Sequence, residues 1–177
     1  LKVLKDAMTD LTLSEAKAKF IQAWGVLGSN WGISRTMAQI HALLLVSVEP
    51  LSAEDIMQTL GISRGNVNMT LRELIDWGLV HRELKPGERK EFFVAEKNIF
   101  EAAKLIARER RRRELEPLLK VIDEVKHVKP EESEDYQNFS QVVRDLEKFA
   151  KNVDHAIEKV VKADESWFFG FFSKLFK

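Results

Sequence analysis

Ser63-Arg64-Gly65-Asn66, followed by Asn68, Met69 and Arg72, brings hydroxyl, amide, guanidinium and thioether groups together on one side of a single helix. The chemistry these groups suit is recognition rather than bond making. Asparagine pairs with adenine, arginine with guanine or a phosphate, and a methionine can touch a thymine methyl. Gly65, having no side chain, would let a duplex backbone come close. Arg89 and Lys90 add two cations just after Pro86-Gly87, suited to phosphate contact. Residues for catalysis are scarce by comparison. His41, His81, His127 and His155 lie far apart, with no His-Glu-x-x-His pattern and no ligand spacing. No Gly-rich phosphate loop and no Gly-x-Ser-x-Gly elbow occurs, and there is no cysteine. The expectation is a non-enzyme with no catalytic residue, metal or cofactor.

The elements needed to present those residues are legible around them. Ser52-Ala53-Glu54-Asp55 forms a capping box that opens a helix with Ile56, Met57 and Leu60 on its apolar face. Gly61 ends it, Ile62 plugs the corner, and Ser63 caps a second helix whose inner stripe is Val67, Leu71, Leu74 and Ile75. Gly78 ends that helix just after Trp77. Two helices across so short a glycine turn make a helix-turn-helix. The segments Leu79–Leu84 and Glu91–Val94 read as strands joined by Lys85-Pro86-Gly87-Glu88, a type II turn. Helix-turn-helix followed by hairpin is the winged-helix pattern. Its plainer readings are a small α+β domain that only packs, or a winged helix that binds protein.

Taken in order, residues 1–33 read as an N-terminal arm and first helix. Leu1, Leu4, Met8 and Leu11 keep a three-four spacing, and Ser14-Glu15 opens a run with Phe20, Ile21, Trp24 and Leu27. Gly25 and Gly28 weaken its end, and Gly28-Ser29-Asn30 reads as a loop. Residues 34–97 are the winged helix-turn-helix, entered by a helix from Arg35 to Val48 that Ser34 caps. Its buried face is Met37, Ile40, Leu44 and Val48, with His41 a core or interface residue. Residues 98–165 are long helices for dimerisation. Ile99, Ala103 and Ile106 share one side of the first. Arg108 to Glu114 is charged at every position and reads as a solvated helix tied by pairs such as Glu109–Arg113. Pro117 must kink that helix or begin a new one.

After the turn at Lys129–Ser133 comes the longest helix. Tyr136, Phe139, Val143, Leu146, Ala150, Val153, Ile157 and Val160 follow a 3, 4, 3, 4 spacing, a heptad seam fit for a second copy. The rival is an antiparallel hairpin with the Pro117–Val128 helix, and Val142, Phe149, Ala156 and Val161 make the stripe wide enough for both. Residues 166–177 are an aromatic tail holding Trp167, Phe168, Phe169, Phe171, Phe172 and Phe176. It is too short to cross a membrane, and docking across the dimer, a membrane-surface contact through Lys174 and Lys177, or a protein-binding motif would each occupy it. The fold class is thus mainly α with a small β-hairpin wing: a winged helix-turn-helix with long terminal dimerisation helices.

Composition narrows the partner. The 177 residues carry 28 basic and 28 acidic side chains, so a general coating of DNA is excluded and any contact must come from local patches. The excess is local: residues 61–97 carry 7 basic and 6 acidic groups, residues 98–130 carry 9 and 6, and residues 131–177 carry 7 and 10. The chain opens on Leu1 rather than Met, as a trimmed piece would. No stretch reads as a signal peptide or a membrane span, which makes the cytoplasm the expected compartment.

Several segments also resemble a known family. Trp31-Gly32-Ile33-Ser34-Arg35, Ile40-His41-Ala42-Leu43-Leu44 and Pro50-Leu51-Ser52-Ala53-Glu54-Asp55-Ile56-Met57 look like the GbsR-like branch of the MarR transcription factors. So do Ile62 to Val67, Leu71-Arg72-Glu73-Leu74, Trp77-Gly78-Leu79-Val80 and Pro86 to Glu91, in register from about Trp24 to Leu119. The resemblance implies a bacterial or archaeal homodimeric repressor that binds operator DNA, dimerises through terminal helices and answers to a small ligand. It also implies a wing arginine, matched by Arg89, reaching the minor groove or backbone. In some members the signal is a quaternary ammonium compound such as choline, which aromatic faces would hold. Trp24, Trp31, Phe92, Phe93, Phe100 and Tyr136 are the candidates for such a ligand site. The alternative function is a winged-helix assembly module recruited to a partner or membrane by its aromatic tail.

Overall fold

A computed structural model describes residues 11–163, which divide after Lys97 into two units. Most of the expected N-terminal arm, and the aromatic tail, lie outside the described residues.

The first unit begins with α1 (Leu13–Asn30), α2 (Arg35–Val46) and the short strand β1 (Leu51–Ser52). It continues through α3 (Ala53–Leu60), α4 (Arg64–Asp76), β2 (Val80–Glu83) and β3 (Phe92–Ala95). Thr12, not Ser14, caps α1: its hydroxyl accepts from the Glu15 N–H while the Glu15 carboxylate takes the Thr12 N–H at 2.8 Å. The expected loop at Gly28–Asn30 is helix instead. A Cβ on Gly28 would lie 2.5 Å from the Ala38 Cβ, so this glycine brings α1 against α2 rather than ending the helix. The chain then turns at Gly32, φ +75°.

Ser34 caps α2 as expected, but the helix stops at Val46, and Val48 is 89 % exposed rather than part of the buried face. The turn is held from elsewhere. The Lys97 ammonium donates to the carbonyls of Leu44, Leu45 and Ser47 at 2.6, 2.9 and 2.7 Å, meeting acceptors that a helix end leaves open. Met37, Ile40 and Leu44 from α2 join Ile56, Val67, Leu71, Leu74 and Val80 in the buried core. The expected hairpin is the larger part of a three-stranded antiparallel sheet, in the order β1-β3-β2, with Leu51 opposite Phe93 and His81 opposite Val94. A two-residue strand has too little length to show any alternation, so β1 left no sequence signal.

The second unit runs α5 (Ile99–Arg110), a π turn (Arg111–Leu115), α6 (Glu116–Val125) and α7 (Glu134–Lys162). Asn98 and Ser133 cap α5 and α7 with their side chains. Ile99 is exposed, whereas Phe100 and Ala102 are buried. Pro117 explains the π turn. Its ring presses on the carbonyl four residues back and offers no N–H, and one wider turn accommodates both defects. The arginine-rich run is less solvated than its composition suggests. Glu109 is only 6 % exposed, accepting from Arg112 at 2.9 and 2.5 Å and from Arg113 at 2.6 Å. The Arg112 guanidinium, and after it that of Arg113, hold this carboxyl below its ordinary range against the opposing effect of burial. Arg111 forks onto Asp154 of α7 at 2.6 and 3.2 Å and also reaches Glu116 at 3.1 Å.

The proposed seam on α7 divides between two faces. Val143 and Ala150 are buried with Ile122 of α6, beside Leu115, Leu119 and Val125. Those two residues are thus spent on the hairpin within the chain and are not free for a partner copy. Phe139, Val142, Leu146 and Phe149 stay exposed on the adjoining arc, as do Leu118 and Val121 of α6.

Candidate nucleic-acid interface

The helix that carries the recognition residues is held at both ends. Ser63 accepts from the Asn66 N–H at 3.4 Å, and Trp77 closes the other end with its N–H on the Glu73 carbonyl. Val67, Thr70, Leu71 and Leu74 turn into the core. That burial fixes what faces outward. Ser63, Arg64, Gly65, Asn68 and Arg72 are exposed, Met69 is 64 % exposed, and Asn66 lies half-buried at the border. A methionine with most of its surface open to solvent suits contact with a partner. At Gly65 a Cβ would meet nothing within 4 Å, so the protein itself does not require glycine there.

Thr70 was missed in the sequence because it falls on the inward stripe. It is buried, yet its hydroxyl donates to Asn66 Oδ1 at 3.4 Å across one helical turn. The four-residue spacing from Asn66 was the available signal.

The wing is pinned where the strands meet it. Glu88 N–H donates to the Lys85 carbonyl at 3.1 Å around Gly87, φ +84°, and the Arg82 guanidinium lies 3.6 Å from Glu91. Arg89 is exposed beyond this turn. Lys90 is exposed too, but its ammonium stands 5.4 Å from the centre of the buried Phe92 ring, and that of Lys85 stands 4.5 Å from it. Lys90 therefore has a packing role that the sequence reading did not give it. Lys85, not anticipated at all, also lies 3.9 Å from Glu49.

Four of the six aromatic residues considered for a ligand lie in the first unit. Trp24 meets Phe20 at 5.5 Å and His41 at 6.4 Å between ring centres. Phe92 and Phe93 are buried strand residues, and the two lysine ammoniums stand over the Phe92 ring. Trp31 is 58 % exposed, and Phe100 and Tyr136 belong to the second unit. His41 is buried, and desolvation, helped by the charge of Lys97, lowers its pKa to about 4. Among the described residues no group of three or more His, Asp or Glu is placed to hold a metal. No helix among them is long and apolar enough to cross a membrane.

Helix-turn-helix and wing place this unit among winged helices, and the comparison with family models agrees. Residues 31–91 match the MarR family. That stretch holds α2 to α4 and the wing, up to the residue before β3. The GbsR-like branch within the MarR family is not distinguished by this match. Among solved structures, one described as a transcriptional regulator superposes with a TM-score of 0.63 at 19 % identity, over 90 % of this chain and 99 % of that one. This likeness is one of fold. A MepR mutant from S. aureus bound to an oligodeoxyribonucleotide gives 0.39 at 16 % identity over 84 % and 98 %, and a MarR protein from Peptoclostridium difficile gives 0.37 at 15 % over 87 % and 95 %. The scores of these last two are too low to carry an argument. No curated protein sequence matches the chain.

Proposed function

We propose that this chain is a sequence-specific DNA-binding transcriptional regulator of MarR type, acting as a homodimeric repressor under the control of a small ligand. The observation that carries the reading is the outward row on α4. Val67, Leu71 and Leu74 of its apolar stripe are buried in the core with Ile75 half-buried, and the opposite side offers Arg64, Gly65, Asn68, Met69 and Arg72 to a major groove. Arg89 on the wing supplies a cation for the neighbouring backbone or minor groove. Ser63, Asn66 and Lys90 complete the contact set. The exposed arc on α7 supports pairing with a second copy, which would set two recognition helices about one helical turn apart on a two-fold operator. Tyr136, Val153, Ile157 and Val160, half-buried along α7, border that arc.

The GbsR-like sequence resemblance favours a quaternary ammonium effector. Of the six aromatic candidates, Trp24 beside His41 best suits a ligand-facing role, because the Phe92 ring already carries protein cations. The test begins with selection from a randomised double-stranded oligonucleotide library, followed by electrophoretic shifts on the enriched sequence. Enrichment of a two-fold site that choline or glycine betaine releases is the expected result. Failure to enrich any sequence at low salt would overturn the DNA-binding reading, and indifference to both compounds would remove only the effector.

A further inference from the structure

We infer that Lys97 is a latch that stiffens the chain where it leaves the first unit, and that it sets how strictly the regulator measures the distance between two half-sites. The inference rests on the dimeric DNA-binding reading above and assigns the spacing specificity of that reading to one residue.

The first unit ends at Lys97, and only Glu96, Lys97 and Asn98 lie between β3 and α5. Junctions of this kind bend where a few residues are free to change φ and ψ. Here each of the three is tied. The Glu96 N–H donates to the Leu79 carbonyl at 2.9 Å. Asn98 Oδ1 accepts from the N–H groups of Phe100 and Glu101 at 2.9 and 3.1 Å, which caps α5. The Lys97 side chain crosses to α2, where its ammonium donates to the Leu44, Leu45 and Ser47 carbonyls at 2.6, 2.9 and 2.7 Å.

An ammonium has three N–H donors, and here there is one carbonyl for each. All three acceptors stand at the C-terminal end of α2, where carbonyls lack partners within the helix and a cation is favoured. The distances are those of charge-assisted bonds. α2 is a core element, with Ile40, Ala42 and Leu44 buried. The junction is thus held to the core of the first unit and not only to the end of its own strand. Lys97 is itself exposed, so these bonds rather than packing keep it in place.

Two copies on one duplex turn this stiffness into specificity. Each base pair inserted between half-sites moves the second by about 3.4 Å and rotates it by about 35°. A tether that bends follows both displacements. One held at Lys97 does not, and contacts are lost at one of the half-sites. Lys97 is a positioning residue that acts through the tether and not on the bases.

The test measures binding to two-fold sites that carry the selected half-site and differ only in the number of central base pairs. Wild-type affinity should fall about tenfold or more when one or two base pairs are added or removed. Lys97→Met keeps the stem and removes the charge and the donors. It should read the same half-site sequence and bind the altered spacings to within about threefold of the best one. A merely structural role would instead lower affinity by the same factor at every spacing. That uniform loss, an unchanged spacing profile or a changed half-site sequence in Lys97→Met, or a wild type indifferent to spacing, would each overturn the latch while leaving DNA binding intact. Absence of any two-fold site selected by the wild type would remove the reading on which the latch depends.

Discussion

At the scale of single residues, burial and exposure assign opposite duties to titratable groups. His41 is buried against Trp24, and its pKa falls from 6.5 to about 4, first through desolvation and then through the charge of Lys97. A base with a depressed native pKa binds its proton less readily when folded than when unfolded. Its effect on stability is absent above about pH 6.5 and grows as the pH falls towards 4. That difference should remove roughly 2–3 kcal/mol between about pH 7.5 and about pH 4.5. Urea unfolding at the two pH values, with wild type and His41→Leu side by side, isolates the term from other carboxylates. Equal losses in both proteins would mean that the buried imidazole is not the source. Arg89 has the opposite situation, exposed on the wing with DNA contact as its proposed task. Arg89→Ala should flatten the slope of log affinity against log salt by about 1. Lys90→Ala should also weaken the wing itself, because its ammonium stands over Phe92. A slope unchanged in Arg89→Ala would leave that side chain in water.

At the scale of elements, the sequence was most legible where a local rule decides the outcome. Ser34, Ser52 and Ser63 cap helices where expected, and Gly61 and Gly87 take the positive φ that their turns need. The outward row of α4 followed from its inward stripe by the same logic. What stayed hidden depends on a second element being present. Glu109 is buried although every neighbour in its run is charged, since two arginines neutralise it on their own helix. Lys97 finds the end of α2 from more than fifty residues away, a contact that no window along the chain can reveal. Gly25 and Gly28 looked like helix breakers and are packing positions, and their surroundings differ. A methyl on Gly28 meets the Ala38 Cβ at 2.5 Å, whereas at Gly25 it meets the flexible Gln39 side chain at 2.7 Å. Helix propensity favours alanine at either site by about 1 kcal/mol, and overpacking opposes it by about 1–3 kcal/mol where the neighbour cannot yield. Gly28→Ala should therefore lower stability by about 1–2 kcal/mol, while Gly25→Ala should be close to neutral. Chemical denaturation of both variants checks the contrast, and a stabilised Gly28→Ala protein would show that α1 can move away from α2.

At the scale of the whole molecule, the question is what the apolar arc of α7 is for. The heptad spacing seen in the sequence served two faces at once, and only the hairpin core of Ile122, Val143 and Ala150 could claim its share within the chain. Phe139, Val142, Leu146 and Phe149 remain, with Phe149 66 % exposed, and Leu118 and Val121 of α6 add to them. A set of exposed apolar side chains of this kind marks an interaction site more often than idle surface. A stable interface removes about 800 Å² from each partner, so α6 must share in the contact, because four partly exposed side chains do not reach that area alone. Leu146→Asp combined with Phe149→Asp places two charges on the arc and leaves Val143 and Ala150 untouched. The double variant should keep its helical circular dichroism and sediment as a monomer at micromolar concentration, where the wild type sediments as a dimer. Its affinity for a two-fold site should fall towards that of a single half-site, because pairing is what holds two recognition helices on one duplex. A wild-type protein that is monomeric at that concentration, or a double variant that still pairs, would move the dimer contact away from α7. The aromatic residues from Trp167 onwards would then need a reading of their own.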